Sequence, residues 1–172
     1  MTTEQHLITR EIGIDMGHRV THHGSKCRNL HGHRYTVQAT CKGPLIHSGE
    51  QQGMVLDFGF LKDEMMREID GPCDHGMCLW VDDPFARSFM ATEGDSKSEG
   101  IIRDAIKQLG FCQMIGPFGK LYLVPFVPTA ENLARHWFER LAPRVVERSE
   151  GQAELVRISV GATPNCTAEY KK

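Results

Sequence analysis

A chain of 172 residues is long enough for one domain with a substantial core. Apolar residues make up 40% and charged residues 24%, and the formal net charge of -2 with 20 scattered Lys and Arg excludes a basic surface built for nucleic acid. No apolar run reaches the length of a membrane span, and "MTTEQHLITR" lacks the basic-then-apolar order of a secretory signal, so the cytoplasm is the expected compartment.

In residues 6–19, "HLITREIGIDMGHR", Ile8, Ile12, Ile14 and Met16 fall at even positions. This alternation predicts a strand with one buried face and sets His18 on that face. "VTHHGSKCRN" reads as a loop. In "HGHRYTVQATCKG", His33, Tyr35, Val37, Ala39 and Cys41 share a face, and Tyr-Thr-Val favours a second strand. After the turn-rich "PLIHSGEQQG", Asp57 is placed to cap a helix over "FGFLKDEMMREI", where Phe58, Leu61, Met65 and Ile69 recur at helical spacing; Gly59 weakens its first turn. "DGPCDHGMCLWVDDP" reads as a loop crowded with Asp, Cys and His.

Residues 82–120 commit least. "DDPFARSFMATEGDSKSEG" reads as a polar, mobile stretch with Asp82, Asp83 and Glu93 facing solvent, "IIRDAIKQLGF" as a short helix and "IGPFGK" as a turn. "LYLVPFV" is a strand. Thr129 is the expected N-cap of a helix over "TAENLARHWFERLAPRVVER", with Glu131 in the first turn, a stripe of Leu133, Trp137 and Leu141, and Pro143 kinking or dividing it. "AELVRISVGAT" closes as a strand with Leu155 and Arg157 facing away from Val156, Ile158 and Val160. The order of elements predicts a single α+β domain, helices on one face of an antiparallel sheet, with open sheet edges available for oligomerisation.

The stretch "CRNLHGHRYTV" carries the chemistry. Residues i and i+2 of a strand point the same way, so His31 and His33 converge, and Gly32 between them lets another backbone approach. His18, at the end of a neighbouring strand, is available as a third imidazole; His22 and His23 are rivals on a loop. Three histidines with one open position is the arrangement of a catalytic zinc site, whereas the same pair of histidines on a strand also serves as plain polar contacts. Cys27 sits between Lys26 and Arg28, cations that favour a thiolate, and is equally spaced to serve as a fourth ligand. With no CxxC, the six cysteines read as free thiols: Cys41 and Cys166 as structural, Cys73 and Cys78 as open. Asp74 beside His75 offers a carboxylate that orients an imidazole for proton transfer. Glu131 suits either a helix start or a ligand contact.

"MGHR", "CRNLHGHRY", "VLDFGFLK", "CDHGMCL" and "PTAENLARHWFERL", in this order and spacing, resemble the 6-pyruvoyl-tetrahydropterin synthase and 6-carboxy-tetrahydropterin synthase family. The resemblance runs over about residues 6–81 and 121–170. It implies a tunnelling fold, an antiparallel sheet with two main helices on one face that assembles into an oligomeric barrel, as a homo-oligomer (trimer or homohexamer) with active sites between subunits. It further implies His18, His31 and His33 as ligands of Zn2+, Cys27 as the base, Asp74 and His75 as the opposing proton-transfer unit, and Thr129 and Glu131 as pterin contacts. The implied activity is a zinc-dependent lyase converting 7,8-dihydroneopterin triphosphate to 6-carboxy-5,6,7,8-tetrahydropterin on the path to queuosine, releasing acetaldehyde and triphosphate. Pyruvoyl-type triphosphate elimination, action on another reduced pterin, and a silent pterin- or metal-binding scaffold are the alternatives.

Two departures stand out. The family's Glu-Thr near the final strand, whose carboxylate reads the pterin edge, aligns with Ala162-Thr163 in this chain. A methyl group leaves those donors unpaired at about 1–3 kcal/mol, so Glu169, Glu131 or backbone carbonyls must compensate, or the substrate differs. Residues 82–120 form an insertion relative to typical relatives, open to reading as a lid, an added oligomer contact or a surface loop, and Phe85, Phe89 and Phe111 tilt toward packing onto the body or a neighbour.

Overall fold

The computed structural model describes residues 4–91, 96–116 and 119–172. The two expected strands are β1 (His6–His18) and β2 (His31–Gly43), paired antiparallel without a slip from His6 opposite Gly43 to His18 opposite His31. After them come α1 (Phe58–Met65), a π-helical segment (Met66–Asp70), the single turn α2 (Gly71–Cys73) and β3 (Gly76–Trp80). Then follow α3 (Pro84–Ala91), α4 (Ser96–Leu109), β4 (Cys112–Gly116), β5 (Gly119–Val124), α5 (Ala130–Arg148), β6 (Glu154–Thr163) and β7 (Cys166–Lys171). No helix among the described residues is long and apolar enough to cross a membrane.

The strands form one sheet in the order β4-β5-β3-β1-β2-β6-β7. The α+β class holds, but the sheet is mixed: β3 lies parallel to β1 and β5 parallel to β3, while the remaining pairs are antiparallel. The stretch read as an Asp/Cys/His-rich loop contains β3, a short strand returning beside β1 after the chain has crossed one face through α1.

The main core lies on that face. Ile12, Ile14, Met16, Tyr35, Val37, Ile158 and Val160 project from the sheet against Leu61, Met65 and Ile69 on one side and Leu133, Trp137 and Leu141 of α5 on the other. Thr129 caps α5 through its hydroxyl, which accepts from the Asn132 N–H at 3.4 Å, and Asp57 caps α1 by accepting from the Gly59 N–H at 2.5 Å. α5 runs through Pro143 undivided, without the one helix hydrogen bond that proline cannot donate. Glu68, buried beneath the helices, faces Arg140 and Arg144, and Glu64 of α1 faces Arg67 and Arg148; the pairs with Arg140, Arg144 and Arg148 tie α5 to α1 and the segment following it.

Leu155 joins this core, contrary to the alternation expected from the sequence. Thr40 is opposite Arg157 but Cys41 is opposite Leu155, so Val156 is an extra residue in β6. Such a bulge reverses the facing of everything before it.

Residues 82–120 also depart from expectation. The stretch read as polar and mobile forms α3 and the start of α4, with residues 92–95 outside the described part. A second, smaller core joins Ala86, Ile102 and Ile106 to Leu79, Leu121 and Leu123 of the sheet. Because Cys78, Tyr122 and Val124 alternate with these residues and belong to the main core, α3 and α4 cover the opposite face of β3 and β5. Phe85 packs on the small core and Phe111 on the main one. Asp82 pairs with Arg87 and Arg103, and Asp83 is fully buried rather than solvent-facing. Glu93 and the side chain of Phe89 lie outside the described residues.

Candidate active site

His18 ends β1 on the core face, directly opposite His31, and His33 stands two residues along β2 on the same face. Ring centroids are 4.5 Å apart for His18 and His31, 5.1 Å for His18 and His33, and 4.9 Å for His31 and His33. A ligand nitrogen from each lies within 4.8 Å of the others. Gly32 allows the approach: a Cβ there would sit 3.3 Å from the Met16 carbonyl oxygen of β1.

Two of the three rings are held by backbone carbonyls. His18 Nδ1 lies 2.8 Å from the Pro128 carbonyl oxygen and His31 Nδ1 lies 2.8 Å from that of Asn29. A carbonyl only accepts, so both rings carry their proton on Nδ1 and present a bare Nε2. Nε2 of His18 is buried and has no hydrogen-bond partner. Burial lowers the His18 pKa to about 4, with the neighbouring His31 and His33 adding to the fall and the Pro128 contact opposing it. Burial and His31 lower His33 as well. The group therefore sets His18 and His33, whose charged forms burial disfavours, beside His31 with an orphaned nitrogen aimed among them, the donor set a divalent transition metal requires. No cysteine belongs to it.

Cys27 occupies a single 3-10 turn, Lys26–Arg28, in the loop joining β1 to β2 and is half-buried. Its carbonyl accepts from the Val20 N–H at 2.8 Å. The other cysteines divide by burial: burial drives the thiols of Cys41 and Cys73 up to about 12 and raises that of Cys78, so these three stay protonated in the core, whereas Cys166 is exposed.

Asp74 and His75 precede β3 and form a unit, His75 Nδ1–H donating to Asp74 Oδ2 at 2.6 Å. His75 is left-handed, φ 52°, a conformation uncommon outside glycine. Several contacts hold it there. The Asp15 N–H donates to Asp74 Oδ1 at 2.8 Å, and the His75 N–H donates to the Asp15 carbonyl at 2.7 Å. Lys120 Nζ donates to the carbonyls of Asp74 at 2.6 Å and Gly71 at 2.9 Å. Desolvation works to raise the Asp74 carboxyl, but the Asp15 N–H, His75 and Lys120 outweigh it and hold the pKa below the usual range. The His75 side chain is 78% exposed. Among the described contacts none joins this pair to Cys27 or to the three imidazoles.

Thr129 is committed to its helix cap and Glu131 projects into solvent from the first turn of α5. Glu169 of β7 is engaged by Lys171 at 2.8 Å and Arg157 at 3.3 Å; chiefly the Lys171 contact, with the charge of Arg157 added, lowers its pKa against the opposing effect of desolvation. A cavity of about 660 Å³ adjoins His33, lined on the open sheet face by Arg34, Thr36, Gln38, Ser159, Thr163 and Thr167 with Ala162 at its wall. Its lining holds no carboxylate, and neither Glu131 nor Glu169 belongs to it. Sequence reasoning missed Asp15, Lys120 and the carbonyls of Asn29 and Pro128. Backbone acceptors leave no sequence signal, and Lys120 lies far along the chain from the pair it holds.

The sequence pattern of 6-pyruvoyl tetrahydropterin synthase matches residues 7–172. The chain belongs to the 6-pyruvoyl tetrahydropterin synthase family. It is an enzyme of this family. It is 30% identical over 165 residues to the 6-carboxy-5,6,7,8-tetrahydropterin synthase of Haemophilus influenzae, covering 96% of this chain and 98% of that one. It is 32% identical over 161 residues to the enzyme of the same name from Rickettsia bellii, covering 94% and 96%. In fold it is similar to an uncharacterized protein from Wolinella succinogenes, with a TM-score of 0.72 at 21% identity over 99% of both chains. It is also similar to Caenorhabditis elegans 6-pyruvoyl tetrahydropterin synthase, with a TM-score of 0.62 at 21% identity over 100% of this chain and 99% of that one. The tunnelling fold is thereby established for this chain.

Proposed function

We propose that this chain is a zinc-dependent lyase converting 7,8-dihydroneopterin triphosphate to 6-carboxy-5,6,7,8-tetrahydropterin, with release of acetaldehyde and triphosphate, as a cytoplasmic homo-oligomer on the queuosine path. The names of the relatives matched over nearly the whole chain support the product. The observation that carries the chemistry is the buried, unpartnered Nε2 of His18, facing two further imidazoles.

His18, His31 and His33 hold the ion, which when bound supplies Lewis acidity toward the hydroxyls of the substrate side chain. Cys27 removes a proton from the carbon beside those hydroxyls. His75 keeps its Nδ1 proton on Asp74 and exchanges the other proton at Nε2, so the carboxylate fixes both the tautomer and the direction of transfer. Thr129, Glu131 and Glu169 are the proposed pterin contacts. The exposure of His75 and its separation from the Cys27 loop in the described contacts support an active site completed by a neighbouring subunit, with the outermost strands β4 and β7 available as edges.

The carboxylate-free wall at Ala162 favours a second reading, in which the same machinery acts on another reduced pterin or stops at triphosphate elimination. Incubation with 7,8-dihydroneopterin triphosphate and mass analysis separates the two. Acetaldehyde together with 6-carboxytetrahydropterin supports the first; triphosphate without acetaldehyde supports the second.

A further inference from the structure

The carboxylate of Asp83 is fully buried at the start of the segment that covers the far face of β3 and β5, and it reaches back to the loop carrying Cys27. One oxygen accepts from the Phe85 N–H at 2.7 Å, capping α3. The other accepts from the Thr21 hydroxyl and lies 3.2 Å from Arg19 Nε, an ion pair without hydrogen-bond alignment. Arg19 and Thr21 flank Val20, whose N–H donates to the Cys27 carbonyl at 2.8 Å. A further contact reinforces the junction: the His22 ring stands edge-on to Trp80, with centroids 5.7 Å apart.

A buried carboxylate is retained only where its partners satisfy it. Here two of those partners flank Val20, whose N–H donates to the carbonyl of the thiol-bearing residue. We propose that Asp83 is a positioning residue for Cys27: it clamps Arg19 and Thr21, and through Val20 sets where the sulfur stands relative to the imidazoles. This inference rests on the role proposed for Cys27, but its structural half does not. The geometry makes the segment after β3 a support for the thiol loop as well as a cover for the sheet. Asp83 itself touches no reacting atom.

The test compares Asp83→Ala, Asp83→Asn and Thr21→Val with Asp82→Asn as a control, since Asp82 pairs with Arg87 and Arg103 instead. The assembled, metal-loaded protein is used throughout. Iodoacetamide alkylation of Cys27, followed by mass spectrometry from pH 6 to pH 10, reads the thiol directly and needs no turnover. Asp83→Ala and Thr21→Val are expected to change the Cys27 alkylation rate severalfold and shift its pH profile. In both, kcat should fall on the order of 10- to 100-fold with KM little changed. Asp83→Asn, which keeps an acceptor for Phe85 and Thr21, should recover part of both effects, and Asp82→Asn should match the wild type. Thr21→Val, a milder change, serves if Asp83→Ala does not fold. Folded variants with wild-type Cys27 alkylation profiles would overturn the clamp. A changed alkylation profile with unchanged kcat would uphold the clamp and overturn instead the role given to Cys27.

Discussion

His18 and His31 are direct partners in the β1–β2 ladder, the last pair of a register that begins with His6 and Gly43. Directly opposed residues of an antiparallel pair bring their Cβ atoms within about 5 Å, so two imidazoles meet wherever the hairpin register is correct. His33, one pleat further along β2, then completes the group. The three-imidazole cluster is a consequence of strand register.

Removing one member should therefore empty the site without unfolding the sheet. For His31→Ala, metal analysis of purified protein is expected to fall from about one ion per chain to near zero, with the far-ultraviolet circular dichroism unchanged. Chelation of the wild type should lower its melting temperature, because the ion binds the folded state alone. A His31→Ala protein with full metal content would remove His31 from the ligand set.

Cys27→Ala should separate chemistry from metal binding. The sulfur is absent from the three-imidazole group, so ion content and melting temperature are expected to stay at wild-type levels. The product assay should show kcat lower by roughly 10²–10⁴-fold, the range typical of lost acid–base catalysis.

Lys120 offers a pH signature. Its ammonium holds the carbonyls of Gly71 and Asp74 and helps to keep the Asp74 carboxyl below the usual range. Lys120→Met loosens the left-handed turn and removes that charge, so kcat should fall by about tenfold. With the Asp74 pKa raised, protonation begins at higher pH, and the acid limb of the kcat profile moves upward. Lys120→Arg should restore part of the rate.

A buried pair remote from the site makes the fold acid-sensitive. His136 Nε2 is 2.7 Å from the Tyr122 hydroxyl, and burial, with a smaller contribution from Arg140, lowers the imidazole to about 4. Burial, chiefly, raises the Tyr122 phenol, so the hydroxyl donates and neutral His136 accepts. The native state takes up this proton near pH 4, whereas the unfolded state takes it up near 6.5. The stabilisation is complete above 6.5 and is lost as pH falls toward 4, roughly 3 kcal/mol at the end of that window. Urea unfolding of metal-loaded protein should show the decline, and His136→Gln should flatten it.

Much of this arrangement is legible in the sequence because strand periodicity and side-chain chemistry act together. The alternation from Ile8 to Met16 predicts the face on which His18 stands, and the His-Gly-His spacing predicts the convergence of His31 and His33. Periodicity fails where a short strand is buried on both faces and shows no alternation, as in β3 with Cys78 in one core and Leu79 in the other, and where one extra residue reverses a face, as Val156 does for Leu155. Asp83 reads as solvent-facing because its partners Arg19 and Thr21 lie some sixty residues earlier. The cavity beside Ala162 depends on the facing of β2, β6 and β7 together, a product of tertiary pairing.

The hydrogen bond between His18 and the carbonyl of Pro128 spans 110 positions of the chain. On a ribosome, the two histidines of β2 emerge soon after His18, yet the group that fixes the His18 ring is not made until most of the polypeptide has left the exit tunnel. The orientation of the His18 ring is thus fixed late in biogenesis, and a truncated translation product ending before residue 128 would leave the ribosome without the acceptor that holds that ring.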